Sequence, residues 1–224
     1  MKTTNKFLNI KESDIWHAEN IYHLKTDLSR IGKLIYHYEI YQRITNIPGD
    51  ILEFGVFKGI SLTRFLTFRA LLENDFSRKV YGFDNFGAFP KAKSKADNNF
   101  IKNWQKKTGH GIKINELDKI LKNKNFSNYN LIKGNILKTL SKFLKNNNNL
   151  KISLLHLDMD VYEPTKYVLN KLLKYMSKGG IILLDDYTGV EGATRAIDEF
   201  LKKNKRLKLK KLSFYKLPSY IVIE

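Results

Sequence analysis

The sequence predicts an α/β domain of the doubly wound type, in which a mostly parallel sheet is covered by helices on both faces. Short apolar runs that suit strands alternate along the chain with longer segments of helical periodicity. These runs are apolar at consecutive positions, as expected for strands that are buried on both faces. The 224 residues, 42% of them hydrophobic, suit one core, so we expect a single domain over residues 1–224.

The first predicted elements are a helix, a strand and a second helix. Apolar residues recur at helical spacing over 32–44, inside an N-terminal helical lead-in that we expect over 1–46, and Pro48-Gly49 ends this run. A strand follows with the sequence ILEFGV at 51–56. After its glycine-containing turn, the segment 61–73 again has the apolar spacing of a helix.

Later apolar runs predict the remaining strands. These are KVYGFD at 79–84, YNLIKG at 129–134, ISLLHLD at 152–158 and GIILLDD at 180–186. Pro164 suits the first turn of a helix that we expect Gly179-Gly180 to end, and another helix is predicted near 191–203. The runs at 207–212 and 220–224 are expected to form a closing hairpin.

The segment 85–128 is too long for an ordinary connection between a strand and a helix. It contains two predicted short helices, over 93–107 and 115–124. We interpret it as a lid insertion over a ligand site. An extra pair of surface helices is the alternative.

Composition limits the possible functions. The chain has no cysteine, which excludes disulfides, a thiolate nucleophile and cysteine-ligated metal centres. No stretch reaches the roughly 20 apolar residues of a spanning helix, and the first ten residues lack the pattern of a signal peptide. We therefore expect a soluble, cytoplasmic protein that does not insert into membranes.

A formal net charge of +18 raises the question of an anionic partner. The basic residues are spread over helices, loops and the C-terminal segment, and lysine greatly outnumbers arginine. Arginine is the usual residue for phosphate and base recognition, so a solvated basic surface is favoured over a nucleic-acid interface. Nucleic-acid binding stays open as the weaker alternative.

Ligands of open parallel sheets bind beyond the carboxyl ends of the strands, so the residues that follow each strand are the candidates for a site. Gly55 and Gly59 follow the first strand and allow a tight turn close to a ligand. Asp84 ends the second strand, where a nucleoside-binding fold places an acceptor for ribose hydroxyls. Each of these signals is weak when taken alone.

Four carboxylates follow two other strands: Asp158 and Asp160 after one, Asp185 and Asp186 after the other. If these strands are neighbours, the like charges crowd together and call for a cation. Carboxylate oxygens without cysteine favour Mg²⁺, with Mn²⁺ or Ca²⁺ possible. The alternative is that Asp160 and Asp186 cap the helix and turn that follow them.

Four motifs, in order along the chain, carry a resemblance to a known family. They are PGDILEFGV at 48–56, GFDNFGAFP at 82–90, LDMDVYEPT at 157–165, and the segment from Gly179-Gly180 through Asp185-Asp186-Tyr187 to Gly192-Ala193. With these motifs the sequence resembles the macrocin O-methyltransferase (TylF/MycF-type) family of class I methyltransferases, which depend on S-adenosylmethionine (SAM). The resemblance implies a Rossmann-like, seven-stranded sheet and methylation of a sugar hydroxyl.

The resemblance also implies roles for particular residues. Glu53, Gly55 and Ser61 would border the cofactor, and Asp84 would accept hydrogen bonds from its ribose. Asp158, Asp185 and Asp186 would be the ligands of Mg²⁺, and Asp160 stands at the position of the proposed general base. The chain departs from the family at Ile60, where many relatives have glycine, and at 86–90, where the lid begins.

We therefore predict a SAM- and Mg²⁺-dependent O-methyltransferase that acts on a deoxysugar or nucleotide-activated sugar. A homodimer is one possible assembly. Three lid lysines are candidates for contacts with a diphosphate, although a solvated face is the simpler interpretation: Lys91, Lys93 and Lys95. His156, inside an apolar strand, is predicted to be a core residue. A nucleic-acid methyltransferase and a non-catalytic nucleotide-sugar binding module are the alternatives.

Overall fold

The computed structural model describes residues 10–224, in which seven strands form one sheet. The strands are β1 (Asp50–Phe54), β2 (Val80–Asp84), β3 (Tyr129–Lys133), β4 (Ile152–Leu157), β5 (Met176–Leu184), β6 (Leu209–Lys210) and β7 (Ser219–Val222). Their order across the sheet is β3-β2-β1-β4-β5-β7-β6. Strands β1 to β5 pair in parallel, and β7 runs antiparallel to β5 and β6. The predicted mostly parallel sheet and its closing hairpin are confirmed.

Helices cover both faces of this sheet. They are α1 (Glu12–Lys25), α2 (Leu28–Ile44), α3 (Ile60–Leu72), α4 (Lys95–Thr108), α5 (Ile114–Asn123), α6 (Ile136–Lys145), α7 (Tyr162–Leu172) and α8 (Glu191–Lys203). Side chains of α2, α3 and α5 form one buried cluster, and those of α6, α7 and α8 form the other. Ile51 and Leu52 belong to different clusters, because successive residues of a strand point to opposite faces.

The glycine pair that was expected to end a helix lies inside a strand instead. The helix α7 ends at Leu172, a short 3-10 turn follows over Leu173–Tyr175, and β5 then includes Gly179 and Gly180. Gly179 has φ of +79° and donates its N–H to Ile223 at 2.7 Å, and its absent side chain leaves room for Ile47. The prediction was wrong because this left-handed glycine serves a strand irregularity and not a helix end.

The segment 85–128 contributes to both the pocket and the core. Trp104 and Thr108 of α4 line the pocket that is described below, whereas Leu117 and Leu121 of α5 are buried against the sheet. The part formed by α5 is thus a core crossover between β2 and β3. The lid function of this segment stays a prediction.

Two helices, α1 and α2, precede the sheet within the predicted lead-in over 1–46, and residues 1–9 of that range lie outside the described residues. The helix α6 was not predicted. Across residues 10–224, none of the helices combines the length and the apolar character needed to cross a bilayer.

Candidate active site

The carboxyl ends of β1, β2, β4 and β5 open into one pocket of about 600 Å³. This is the position at which ligands bind in open parallel sheets. Seven predicted site residues line it: Gly55, Ser61, Asp84, Asp158, Asp160, Asp185 and Asp186. The sheet therefore gathers residues from four separate sequence motifs around a single cavity.

Glu53, the remaining predicted site residue, lies fully buried behind the pocket wall. Its Oε1 accepts a hydrogen bond from the Ser61 hydroxyl and lies 3.2 Å from His156 Nδ1. Glu53 thus fixes Ser61, which does line the pocket. Direct contact of Glu53 with a cofactor stays a prediction.

Gly55 allows β1 to pass close to the end of β4. Its φ is +94°, and a Cβ atom at this position would lie 2.6 Å from the carbonyl carbon of Asp158 and closer still to its oxygen. Only glycine combines this backbone conformation with such an approach. Gly55 therefore determines how near the loop after β1 comes to the acidic end of β4.

Asp84 organises the loop after β1. Its Oδ2 accepts hydrogen bonds from the N–H groups of Val56 at 2.9 Å and Phe57 at 3.0 Å, and its Oδ1 accepts one from Phe86 at 2.6 Å. A carboxylate offers about four acceptor positions, so about one is left for a ligand hydroxyl. This geometry is compatible with the predicted contact to ribose. Asp84 also holds the loop after β1 in place through these backbone hydrogen bonds.

Three carboxylates converge on the pocket floor. Potential ligand oxygens of Asp158, Asp160 and Asp186 all lie within 4.8 Å of one another. Asp160 has φ of +64° and donates its N–H to Asp186 Oδ2 at 2.8 Å. Left-handed backbone at a residue other than glycine is uncommon and concentrates at functional sites.

The capping alternative for Asp160 is not observed. The N-cap of α7 is Val161, which provides no side-chain cap, and the N–H of Tyr162 donates instead to Asp97 Oδ2 at 3.2 Å. Asp160 is therefore available to the pocket.

The electrostatics of the cluster reflect its crowding. Burial, followed by the charges of Asp158 and Asp185, raises the pKa of Asp160 to about 8. Burial and Asp185 likewise raise the pKa of Asp158 to about 6. Hard oxygen donors at this spacing, under this mutual repulsion, are a suitable donor set for Mg²⁺, and the converging set contains Asp160 where the predicted set has Asp185.

A lysine from α2 reaches the same floor. Lys33 Nζ lies 2.6 Å from Asp185 Oδ2 and 3.4 Å from Asp158 Oδ2. Burial would raise the pKa of Asp185, but the charge of Lys33 and the hydrogen bonds of His156 and His37 together outweigh it and hold that pKa well below its usual range. Lys33 thus binds Asp185 closely and Asp158 more loosely, whereas Asp160 and Asp186 have no ion pair with it.

Two buried histidines continue the network behind Asp185. Its Oδ1 lies 3.8 Å from His156 Nε2 and 4.0 Å from His37 Nε2. Burial disfavours the charged ring of His156, but Asp185 and Glu53 together raise its pKa to about 9. Burial lowers the pKa of His37 to about 3, so one ring of the pair is charged and the other neutral at neutral pH. His156 is buried, as predicted, and also contacts the acids.

Lys33 and His37 were not among the predicted site residues. Both lie on the stripe of α2 that continues through Ile40 and Ile44, at spacings of four, three and four residues. Polar residues on an otherwise apolar stripe point towards the interior, and that pattern was the available signal.

Comparisons with known proteins identify the family of this chain. The macrocin O-methyltransferase (TylF) family profile matches residues 29–211. A relative from Streptomyces olivaceus, 8-demethyl-8-(2,3-dimethoxy-alpha-L-rhamnosyl)-tetracenomycin-C 4'-O-methyltransferase, is 26% identical over 188 residues, which are 81% of this chain and 68% of the relative.

Solved structures show the same fold. The calicheamicin methyltransferase CalS11 superposes with a TM-score of 0.72 at 22% identity, covering 96% of this chain and 87% of that one. The O-methyltransferase NovP gives a TM-score of 0.70 at 21% identity, covering 85% and 79%. Since the family profile spans most of the sequence, the chain belongs to the macrocin O-methyltransferase (TylF) family and is an O-methyltransferase.

Proposed function

We propose that this O-methyltransferase transfers the methyl group of SAM to a hydroxyl of a sugar, with Mg²⁺ held by Asp158, Asp185 and Asp186. The acceptor that we propose is a deoxysugar, in its nucleotide-activated form. The name of one similar protein, a methyltransferase of a rhamnosyl-tetracenomycin, supports the deoxysugar. The name of another, a TDP-rhamnose 3'-O-methyltransferase, supports the nucleotide-activated form as well. Membership of an enzyme family argues against a non-catalytic binding module.

The observation that carries the proposal is the convergence of carboxylates at the ends of two adjacent strands. Asp158 follows β4, Asp185 and Asp186 follow β5, and β4 pairs with β5 in parallel. When bound there, Mg²⁺ would orient the acceptor hydroxyl and make it more acidic. Asp84 and the loop around Gly55, on the neighbouring strands β2 and β1, supply the half of the pocket in which we place SAM.

Asp160 is the proton acceptor in this proposal. Its raised pKa lies close to neutral pH, where a general base is most effective. The hydroxyl gives its proton to a carboxylate oxygen of Asp160, and the sugar oxygen forms a bond to the methyl carbon. The bond between methyl carbon and sulfur breaks, and its electron pair stays on the sulfur of the leaving S-adenosylhomocysteine (SAH). Most of the rate comes from alignment at roughly 3–3.5 Å, because the sulfonium is already a good leaving group.

The test is transfer of labelled methyl groups from SAM to a panel of nucleotide-activated deoxysugars, with and without EDTA. We expect EDTA to abolish transfer and Mg²⁺ to restore it. Asp160→Asn should lower kcat by about 10²- to 10⁴-fold. The same variant should bind SAH with unchanged affinity in calorimetry.

Asp118→Asn, on the surface of α5, is the matched control and should retain full activity. Full turnover in EDTA would contradict the role of the metal. Full activity of Asp160→Asn would contradict the role of that carboxylate, and absence of transfer to every sugar on the panel would contradict the acceptor class.

A further inference from the structure

The corner of the pocket where α1, α2 and α3 meet carries positive charge. Arg30 lies in the first turn of α2, Arg64 lies in the second turn of α3, and both line the pocket beside Tyr22 of α1. Within residues 10–224, neither arginine has a carboxylate at ion-pair distance. The charge of this corner is thus opposite to that of the acidic floor.

The two cations differ in exposure, because Arg64 is partly buried and Arg30 is exposed to solvent. Arg64 is half-buried, and burial, with the charge of Arg30 acting in the same direction, lowers the pKa of its guanidinium. Arg30 lies at the positive end of a helix, where the macrodipole disfavours a cation. An anion bound beside both groups would compensate the partial burial of Arg64 and the helix dipole at Arg30.

Tyr22 adds a third group to this corner. Its hydroxyl oxygen is buried and lies beside the Arg64 guanidinium, whose pKa it raises, but it makes no hydrogen bond of normal geometry to any described residue. A buried hydroxyl without a partner costs free energy, so it too calls for a ligand. The hydroxyl and the two guanidinium groups can all donate hydrogen bonds to one anion.

We propose that Arg30, Arg64 and Tyr22 form an anion subsite that binds the carboxylate at the methionine end of SAM. This inference rests on the proposed function, which places SAM in the pocket. That carboxylate is the only anionic group of SAM, and the acidic floor repels it. Arginine is suited to it because the guanidinium binds a carboxylate with two parallel hydrogen bonds.

The position of the subsite agrees with the path along which we place SAM in the pocket. The ribose is placed at Asp84, which ends β2 on one side of β1. Asp185 follows β5 on the other side of β1, and its charge raises the pKa of Arg64. Ser61, predicted to border the cofactor, lies three residues before Arg64 and hence about one turn away on the same helix. SAM would therefore extend from Asp84 past Gly55 to the arginine corner.

The experiment is calorimetry with two ligands that differ at this end. SAH carries the amino-acid carboxylate, and 5′-methylthioadenosine lacks the whole amino-acid group. For Arg64→Gln we expect the Kd of SAH to rise by about ten- to a hundredfold, the loss that corresponds to a charge-assisted hydrogen bond. The Kd of methylthioadenosine should stay unchanged. Arg195→Gln, an exposed arginine over Tyr162, is the matched control and should change neither.

Equal weakening of both ligands by Arg64→Gln would overturn the proposal, as would an unchanged Kd of SAH. Weaker binding of a nucleoside diphosphate together with unchanged SAH binding would assign the corner to the acceptor and also overturn it. If Arg64→Gln fails to fold in a thermal melt, Arg30→Gln and Tyr22→Phe decide by the same comparison. A wild-type protein that binds neither ligand would instead overturn the proposed function.

Discussion

Lys33 Nζ and Asp185 Oδ2 lie 2.6 Å apart, and the same ammonium group lies 3.4 Å from Asp158. One lysine of α2 thus binds carboxylates at the ends of two adjacent strands. The side chains of Lys33 and Asp185 are only 24% and 12% exposed, so solvent screens this pair weakly. Since both carboxylates are proposed ligands of Mg²⁺, Lys33 competes with the metal for them.

Lys33→Met should separate the contribution of Lys33 to stability from its competition with the metal. Without the ammonium, the carboxylates repel one another, so we expect unfolding in EDTA to become easier by about 1–3 kcal/mol. Loss of the competing cation should at the same time tighten the binding of Mn²⁺, measured by electron paramagnetic resonance. Lys166→Met, which removes a half-exposed ion pair with Glu199 far from the floor, should change the Kd of Mn²⁺ not at all. Weaker Mn²⁺ binding in Lys33→Met would show that the lysine supports the metal site.

Gly55→Ala should damage the fold itself. The added methyl group would meet the backbone of Asp158, which cannot move aside as a side chain can, and the left-handed backbone adds strain. We expect a loss of about 3–5 kcal/mol in urea unfolding. Gly87→Ala is the matched control, because nothing lies within 4 Å of its added Cβ. Equal midpoints for the two variants would contradict this account.

Asp84→Asn tests the loop after β1. An amide offers one oxygen and presents an NH₂ group to backbone N–H donors, so Val56, Phe57 and Phe86 cannot all stay bonded. Each buried donor left without a partner costs about 1–3 kcal/mol. We expect lower thermal stability together with at least about tenfold weaker SAH binding. Intact SAH affinity in this variant would remove Asp84 from the cofactor site.

Arg78 connects the start of β1 to the end of α2. Its guanidinium binds both oxygens of Glu73 and donates to the carbonyls of Ile44, Ile47 and Gly49. Arg78→Met should lower the free energy of unfolding by about 3–5 kcal/mol, since the buried carboxylate of Glu73 loses its cationic partner and keeps only the hydrogen bond from Tyr41. Arg78→Lys should fail to restore it, because an ammonium lacks the planar fork.

Urea unfolding measures both Arg78 variants. Arg206→Met serves as the control, because Arg206 is exposed and its removal should leave the midpoint unchanged. Full stability of Arg78→Lys would show that charge alone, and not fork geometry, holds the sheet to the helix.

The strand-end residues could be predicted because local pattern determines them. An apolar run that ends in Asp84 or Asp158 identifies both a buried strand and its carboxyl end, and parallel pairing then brings such ends together. Gly179 was misinterpreted because glycine suits a helix end and a strand irregularity equally well. Its bond to Ile223, at the far end of the chain, decides between them.

Lys33 and Arg64 could not be placed in the site from local pattern. Lys33 is separated from Asp158 by 125 residues and from Asp185 by 152, and no motif links them. Its position depends on the packing of α2 against α3, β4 and β5. Arg64 follows a recognisable turn, but a helix that starts there presents several side chains, and only tertiary packing selects the one that faces the pocket.

The two-residue strand β6 forms one border of the sheet, and exposed lysines surround it at 208, 210 and 211. A short border that carries positive side chains is a poor template for backbone pairing with another molecule, since each added chain would bring like charges together. Part of the surplus of lysine in this protein thus protects an open flank against growth into fibres.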